Sequence, residues 1–307
     1  MKTFRYWSKS SERVQTPDGP WDLCCWGGSD NSVEEALRRA QERVQSVALA
    51  VTEGRNLERY SYSDRPLREE VLAEVNHEDQ LDALLTRNAY GAVVLNTARV
   101  LFADIDYAED SNQRTPNKEF SGIASQLTGF IGRLLGKEMP ERVIDAATQN
   151  PAVPASEDER IVDRVQSVTE SHDGLGLRLY RTYNGFRCLV TSGTWDPTDT
   201  ATTRLLEQLE SDPLYIKLCR GQQCFRARLS PKPWRCKIMT APPRFPWNDD
   251  ETEQRYRKWV ETYDQITATY STCTFIGAFG NSQVDPAVEA ILRVHDELAC
   301  AGDGPIA

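Results

Sequence analysis

Two aspartates one position apart, Asp104 and Asp106, are the first residues in this chain that could do chemistry. They end the run Val100-Leu101-Phe102-Ala103-Asp104-Ile105-Asp106, which reads as a β-strand. Side chains alternate across a strand, so both carboxylates share one face, with their Cα atoms about 7 Å apart. Carboxylates so placed repel each other unless a cation sits between them, and a hard divalent ion such as Mg2+ or Mn2+ suits their oxygens. Two-metal phosphoryl transfer needs such a pair. Asp104 and Asp106 are therefore candidates both as metal ligands and as catalytic residues. The plain alternative is a strand that runs out into solvent and is marked at its end by acidic side chains.

A second candidate is the stretch Arg178 to Val190, built around Asn184-Gly185. That dipeptide supplies the positive φ angles of a type I′ hairpin turn. A hairpin beside the strand of Asp104 would bring Arg181, Thr182, Asn184 and Arg187 near the metal. The third candidate is a change in charge. From Pro213 to Asn248 there is no acidic residue, yet Lys217, Arg220, Arg226, Arg228, Lys232, Arg235, Lys237 and Arg244 are basic. Within it, Arg226 and Arg228 alternate as on a strand, and Pro231 and Pro233 stiffen the turn that follows. Guanidinium groups bind phosphate oxygens in bidentate fashion, preorganised backbone lowers the ordering cost, and Trp234 offers a flat surface for a base. The phosphate or nucleic-acid contacts expected are Arg181, Arg187, Arg226, Arg228, Lys232 and Arg235, with Trp234 as the stacking residue. The competing reading is that these cations neutralise the protein's own carboxylates.

Cys219, Cys224 and Cys236 come nearest to metal spacing but lack the paired C-x2-C knuckle of most structural zinc sites. Whether they bind zinc is left open by spacing alone. His77, His172 and His295 are scattered.

The elements that must position these residues follow from periodicity and turn chemistry. Strand-like pieces lie at Thr3 to Trp7 and Trp21 to Trp26. Ser32 with Glu35 forms a capping box for a helix carrying Val33, Ala36, Leu37, Ala40, Val44, Val47, Ala48 and Val51. A shorter helix is predicted over Leu67 to Val75. Gly91 to Asn96 and Arg99 to Tyr107 are expected to pair as a hairpin across Thr97-Ala98. An amphipathic helix is predicted from Phe120 to Leu135, another over Ile161 to Ser171, and strands at Leu175 to Tyr183 and Phe186 to Thr191. A helix over Asp199 to Glu210 precedes strands at Cys224 to Leu229 and Arg235 to Met239. The rest is a helix from Asp249 to Thr269, a strand from Cys273 to Phe279 and a helix opening at Asp285-Pro286.

From residue 99 to about 240 this order is β-α-β-β-α-β, the ferredoxin-like pattern. The expected fold is α+β: a palm-like core over 91–245, an N-terminal α/β region over 1–90, and a C-terminal helix-strand-helix region over 246–307. Asp104 and Asp106 should project from a central strand beside the hairpin. The apolar side of both, Leu101, Ala103 and Ile105 with Leu175, Leu177 and Leu179, should lie under helix 120–135, leaving the aspartates facing away from that helix.

The chain has 307 residues, of which 39% are apolar and 27% charged, which is ordinary for a folded protein. A net charge of −10 argues against a protein that coats nucleic acid with its whole surface. No stretch approaches the roughly 18 consecutive apolar residues of a membrane span. The polar start, Met1 to Ser10, lacks the apolar core of a signal peptide. A cytoplasmic location with reduced thiols is expected.

Leu-Phe-Ala-Asp-Ile-Asp-Tyr (101–107) resembles the first catalytic motif of the archaeo-eukaryotic primase superfamily, whose palm carries a D-x-D on a strand. Tyr-Asn-Gly-Phe-Arg-Cys-Leu-Val (183–190) stands where that superfamily has its Gly-x-His strand, with Arg187 at the place of the histidine. The resemblance covers about residues 91 to 240, and no third carboxylate stands clearly in a final strand. The same two elements look somewhat like the palm of GGDEF-type nucleotidyl cyclases. The whole chain resembles an uncharacterised bacterial protein family that shares Phe-Arg-Ala-Arg-Leu-Ser-Pro-Lys-Pro-Trp-Arg (225–235). The resemblance implies a metal-dependent protein that handles nucleotides or nucleic acid, with phosphoryl or nucleotidyl transfer as its chemistry. One alternative is a non-catalytic module that binds nucleic acid or a protein partner through segment 217–244. The other is a structural or assembly protein.

Overall fold

The computed structural model describes residues 1–17, 19–55, 66–77, 80–107, 155–239, 241–242, 245–302 and 304–307. The helix expected over 120–135, and Arg244, lie outside the described residues.

The chain opens with an antiparallel hairpin, β1 (Tyr6–Thr16) and β2 (Gly19–Ser29), followed by helix α1 (Val33–Thr52). The hydroxyl of Ser32 accepts the Glu35 amide and caps α1. Ala36, Ala40, Val44 and Ala48 recur every four residues and are buried, so a stripe of small side chains lets α1 pack close to the strands.

Two four-stranded antiparallel sheets follow. The first has the order β3-β4-β5-β9, with β3 at Glu70–His77, β4 at Gln80–Arg87, β5 at Val93–Thr97 and β9 at Phe225–Arg228. The second has the order β10-β7-β8-β6, with β6 at Phe102–Asp106, β7 at Gly176–Thr182, β8 at Gly185–Val190 and β10 at Cys273–Gly280. The other α-helices among the described residues are α2 (Ala155–Glu170), α3 (Thr200–Gln208), α4 (Pro213–Gln222), α5 (Asp250–Thr267) and α6 (Pro286–Ala299). Aspartate side chains cap α3, α4, α5 and α6, at Asp199, Asp212, Asp249 and Asp285. The protein is therefore mixed α+β. No helix among the described residues is long and apolar enough to cross a membrane.

Several expectations are corrected. Leu67 to Val75 is not a helix; Glu70 onward is β3, because β4 lies alongside and completes its backbone hydrogen bonds. The runs 91–96 and 99–107 do not pair as a hairpin. The Thr97 hydroxyl accepts the amides of Arg99 and Val100 and bends the chain, so β5 and β6 enter different sheets. The strand expected to close the hairpin's sheet, Cys224 to Leu229, pairs instead with β5, and β10 takes a place beside the hairpin. The first sheet thus joins strands from both sides of position 90. Arg235 to Met239 is not a strand: a 3-10 turn occupies Pro233–Cys236, where Pro233 provides no amide for a ladder and Lys237 is left-handed.

One core joins the two sheets. Leu95, Phe225 and Ala227 of the first cluster with Leu101, Ala103, Ile105, Cys188 and Leu189 at the second. Every residue of β8 is buried, because both faces of its sheet are covered. Ile161 and Val165 of α2 belong to the same core, as do Val288 and Ile291 of α6.

Candidate functional site

The strand of Asp104 does lie beside the hairpin. β6 pairs antiparallel with β8, setting Asp104 opposite Arg187 and Asp106 opposite Gly185. Among the described strands β6 is at the edge of its sheet, not at its centre. Its outer edge is covered all the same. Ser211 Oγ accepts the Asp104 amide at 3.2 Å and donates to the Asp104 carbonyl at 3.0 Å, and the Asp212 amide donates to that carbonyl at 2.8 Å. The link between α3 and α4 thus satisfies an edge that would otherwise present bare donors and acceptors.

Gly185 makes this pairing possible. A Cβ there would lie 2.0 Å from the carbonyl oxygen of Ile105, and its φ of +146° is one that residues with a Cβ rarely adopt. The hairpin is tighter than expected, with Thr182 opposite Gly185 and only Tyr183 and Asn184 between them. Neither turn residue has positive φ, so this is not the type I′ turn that Asn184-Gly185 suggests.

Cross-strand partners share a face. Register therefore places Asp104, Arg187, Tyr180 and Phe275 in one row across all four strands. Helix α6 covers this face: the His295 ring lies 4.6 Å from that of Tyr180 and 5.4 Å from that of Phe102. The aspartate face is thus not free of helices. α6 closes it over Phe102 and Arg187, leaving Asp104 half-buried and Asp106 exposed at the strand end.

Arg187 is buried, and its guanidinium turns away from Asp104. Nη1 donates to the carbonyl of Arg228 at 2.9 Å and lies 3.3 Å from His295 Nε2. A guanidinium only donates, so Nε2 must accept, and the proton of the neutral ring sits on Nδ1, 3.0 Å from Asp296 Oδ1. Asp296 also accepts the Tyr180 hydroxyl at 2.7 Å and pairs with Arg178 at 3.2 Å. Burial works to raise the Asp296 carboxyl, but the hydrogen bonds from His295 and Tyr180 outweigh it and hold the group below its ordinary range. The Asp104 carboxylate makes no hydrogen bond or ion pair with any described residue.

The other candidates divide. Arg235 lies over the Tyr183 ring at 3.9 Å, which brings the basic turn to the hairpin tip next to Asp106. Trp234 is 46% exposed, with Tyr90 edge-on at 5.1 Å and the Lys232 ammonium 5.5 Å from its ring. Arg228 contributes its carbonyl to Arg187, while its own Nη1 is buried without a hydrogen-bond partner. Arg181 and Arg226 go elsewhere. Arg181 is on the opposite face of the sheet, tied to Asp158 and to the Tyr107 hydroxyl. Burial and the hydrogen bond to Asp158 push the Tyr107 phenol up to about 12. Arg226 makes a bidentate pair with Glu69 at 2.8 and 2.7 Å, which is the intramolecular role.

Cys219, Cys224 and Cys236 are buried thiols, Cys236 packing with Ile238 and Tyr263. Burial pushes Cys224 and Cys236 each up to about 11. Among the described residues no group of three or more His, Cys, Asp and Glu is placed to hold a metal ion. A cation at Asp104 and Asp106 would therefore draw its remaining ligands from water and phosphate oxygen, as Mg2+ commonly does. Asp199 is occupied as the cap of α3, and Asp196 accepts the amide and hydroxyl of Thr198. Ser211, His295 and Asp296 carry no local motif. Only the pairing of distant segments reveals them. Protein-family models, curated proteins and solved structures were all compared with the chain, and none matches.

Proposed function

We propose that the protein binds Mg2+ or Mn2+ through Asp104 and Asp106 and, with the metal, the phosphates of a nucleotide or nucleic acid. The observation that carries this reading is the Asp104 carboxylate: half-buried, partnerless among the described residues, and on the same strand face as a second carboxylate. A partly desolvated charge of this kind is costly unless a cation meets it. Arg235, Lys232 and Trp234, on the turn that reaches the hairpin tip, would supply phosphate and base contacts, whereas Arg187 is buried and engaged with the Arg228 carbonyl. The primase-like palm part of the proposal is supported by the order β6-β8-β7, in which the D-x-D strand pairs with the strand of Arg187. Phosphoryl or nucleotidyl transfer is the reaction class that suits such a site. Eight free thiols suit the reducing conditions of the cytoplasm.

Calorimetric titration of Mn2+ with and without a nucleoside triphosphate tests the proposal. Metal binding that strengthens with nucleotide and disappears in Asp104→Asn/Asp106→Asn is expected. Nucleotide binding that needs no metal, or that the double variant leaves unchanged, would overturn it.

A second reading rests on Trp234, an exposed indole on a proline-braced turn beside Lys232. A non-catalytic module binding single-stranded nucleic acid there would show salt-sensitive affinity that survives loss of both aspartates and falls in Trp234→Ala.

A further inference from the structure

Cys273 opens β10 and Cys300 caps the end of α6, and there the two cysteines meet. Their sulfurs are 3.6 Å apart. The backbone holds them in place. The Thr272 amide donates to the Ala299 carbonyl at 2.8 Å, joining the residues that precede the two cysteines. Beyond Cys300 the chain returns along the same segment: the Ala307 amide donates to the Ser271 carbonyl at 2.9 Å, and the Ser271 amide to the Pro305 carbonyl at 3.3 Å. Thiols fixed in this way need only a small side-chain movement to reach bonding distance.

Their surroundings differ in a way that suits a reacting pair. Cys273 is fully buried, with His295 Nε2 4.0 Å from its sulfur, whereas Cys300 is partly exposed. The hydrogen bond from the Cys300 thiol, with His295 and the charge of Arg187 beside it, outweighs burial and holds the Cys273 thiol below its ordinary range. Cys188 is enclosed as fully, and there burial alone pushes the thiol up to about 12. The pair thus combines a thiolate that solvent does not reach with a thiol that it does.

We propose that Cys273 and Cys300 form a site of reversible oxidation, closed to a disulfide by hydrogen peroxide and reopened by a dithiol. Cys300 hands its proton to the Cys273 sulfur and attacks one peroxide oxygen. The O–O bond breaks, hydroxide leaves, and Cys300 becomes a sulfenic acid. The Cys273 sulfur then attacks the Cys300 sulfur, the S–O bond breaks, and the departing hydroxide takes the proton that Cys273 received. The sulfurs lose two electrons between them, and the peroxide is reduced to water and hydroxide. A dithiol reverses the bond by two thiol–disulfide exchanges and is itself left as a cyclic disulfide. Disulfides of this transient kind are the ones that reducing compartments hold. Closure ties the end of α6 to β10 and needs neither Asp104 nor a metal, so its failure and that of the metal proposal are distinguishable.

Peptide mapping is the test. Arg293 lies between the two cysteines, so trypsin leaves them on separate peptides, 259–293 and 294–307. Folded protein is treated with hydrogen peroxide in the presence of chelator, quenched with an alkylating agent and digested. In most molecules the two peptides should lose their free thiols and appear joined, and dithiothreitol should separate them. Cys24→Ser/Cys25→Ser removes the exposed thiol of Cys24 and its neighbour as sources of disulfide exchange, and should leave the link intact. Asp104→Asn/Asp106→Asn should link as wild type. In Cys300→Ser, Cys273 should stay unlinked and reduced. Peptides that remain separate and alkylated after peroxide would overturn the proposal. So would a link that forms only in denatured protein, or one that joins either cysteine to a different thiol instead.

Discussion

The two halves of the basic segment meet the rest of the molecule differently. In the strand half, Phe225–Arg228, the Arg226 side chain ends on both oxygens of Glu69, and these two side chains are only 17% and 12% exposed. In the turn half, Pro233–Cys236 and the residue before it, the cations lie over rings: Lys232 over Trp234, and Arg235 over Tyr183 of the hairpin. Alternation on a strand and a proline-stiffened turn look equally cationic in the sequence. What separates them is what β9 is paired with. Inserted beside β5, it carries Arg226 to a carboxylate on the segment before β3. The turn beyond it emerges from the sheet and reaches the hairpin tip.

The largest effect that bears on this contrast is expected at Gly185. Gly185→Ala would drive a methyl group into the Ile105 carbonyl and push β6 from β8, removing the hairpin tip from the turn half. A loss of about 4 kcal/mol in denaturant unfolding is expected. A change below about 1 kcal/mol would mean that β6 yields freely. Arg187→Met comes next, since it leaves the Arg228 carbonyl and His295 Nε2 without their donor, at a cost of about 3 kcal/mol measured in the same way. In the strand half, Glu69→Gln leaves Arg226 buried without its counter-charge and should cost about 2–3 kcal/mol. Trp234→Ala should shift stability by less than about 0.5 kcal/mol, while weakening single-stranded nucleic-acid binding by about 1–3 kcal/mol. Equal losses of stability in the two halves would erase the distinction between them.

A smaller effect concerns pH. Partial burial acts to raise the Asp158 carboxyl, but hydrogen bonds from Arg181 and Tyr107 prevail and hold it below its ordinary value of 3.8. A carboxyl depressed in the folded state binds fewer protons there than in the unfolded chain. Its contribution is therefore complete above about pH 5 and is lost as pH falls through 3.8 and below. Melting temperatures from pH 5 to pH 3 should fall less steeply in Asp158→Asn than in wild type.

Much of the local structure was legible in the sequence. Ser32, Asp199, Asp249 and Asp285 mark helix starts by side-chain caps that act within three residues, and all four are found. The pairing of Asp104's strand with the hairpin was also legible, because both carry buried apolar faces. Partnership between distant strands was not. Nothing near Thr97 says that the chain changes sheets there, and nothing near Phe225 says that its partner is β5 and not the hairpin. Of the expected phosphate contacts, Arg181 was drawn from its place in the hairpin beside the strand of Asp104, and Arg226 from charge and alternation. Their carboxylates, Asp158 and Glu69, come from segments that no local pattern connects to them.

The pairing of β5 with β9 also sets an order of events during synthesis. Residues 6–52 make a hairpin and a helix that pack mainly on one another, so this unit can form as soon as it leaves the ribosome. β5 can pair with β4 early, but its other edge stays open until Arg228 has been made, after β6, β7 and β8. During that interval the nascent chain presents an unpaired strand of Val93-Val94-Leu95. Slow translation or a delay in closing β9 onto β5 should therefore be the step at which this protein is most exposed to aggregation and most dependent on chaperones.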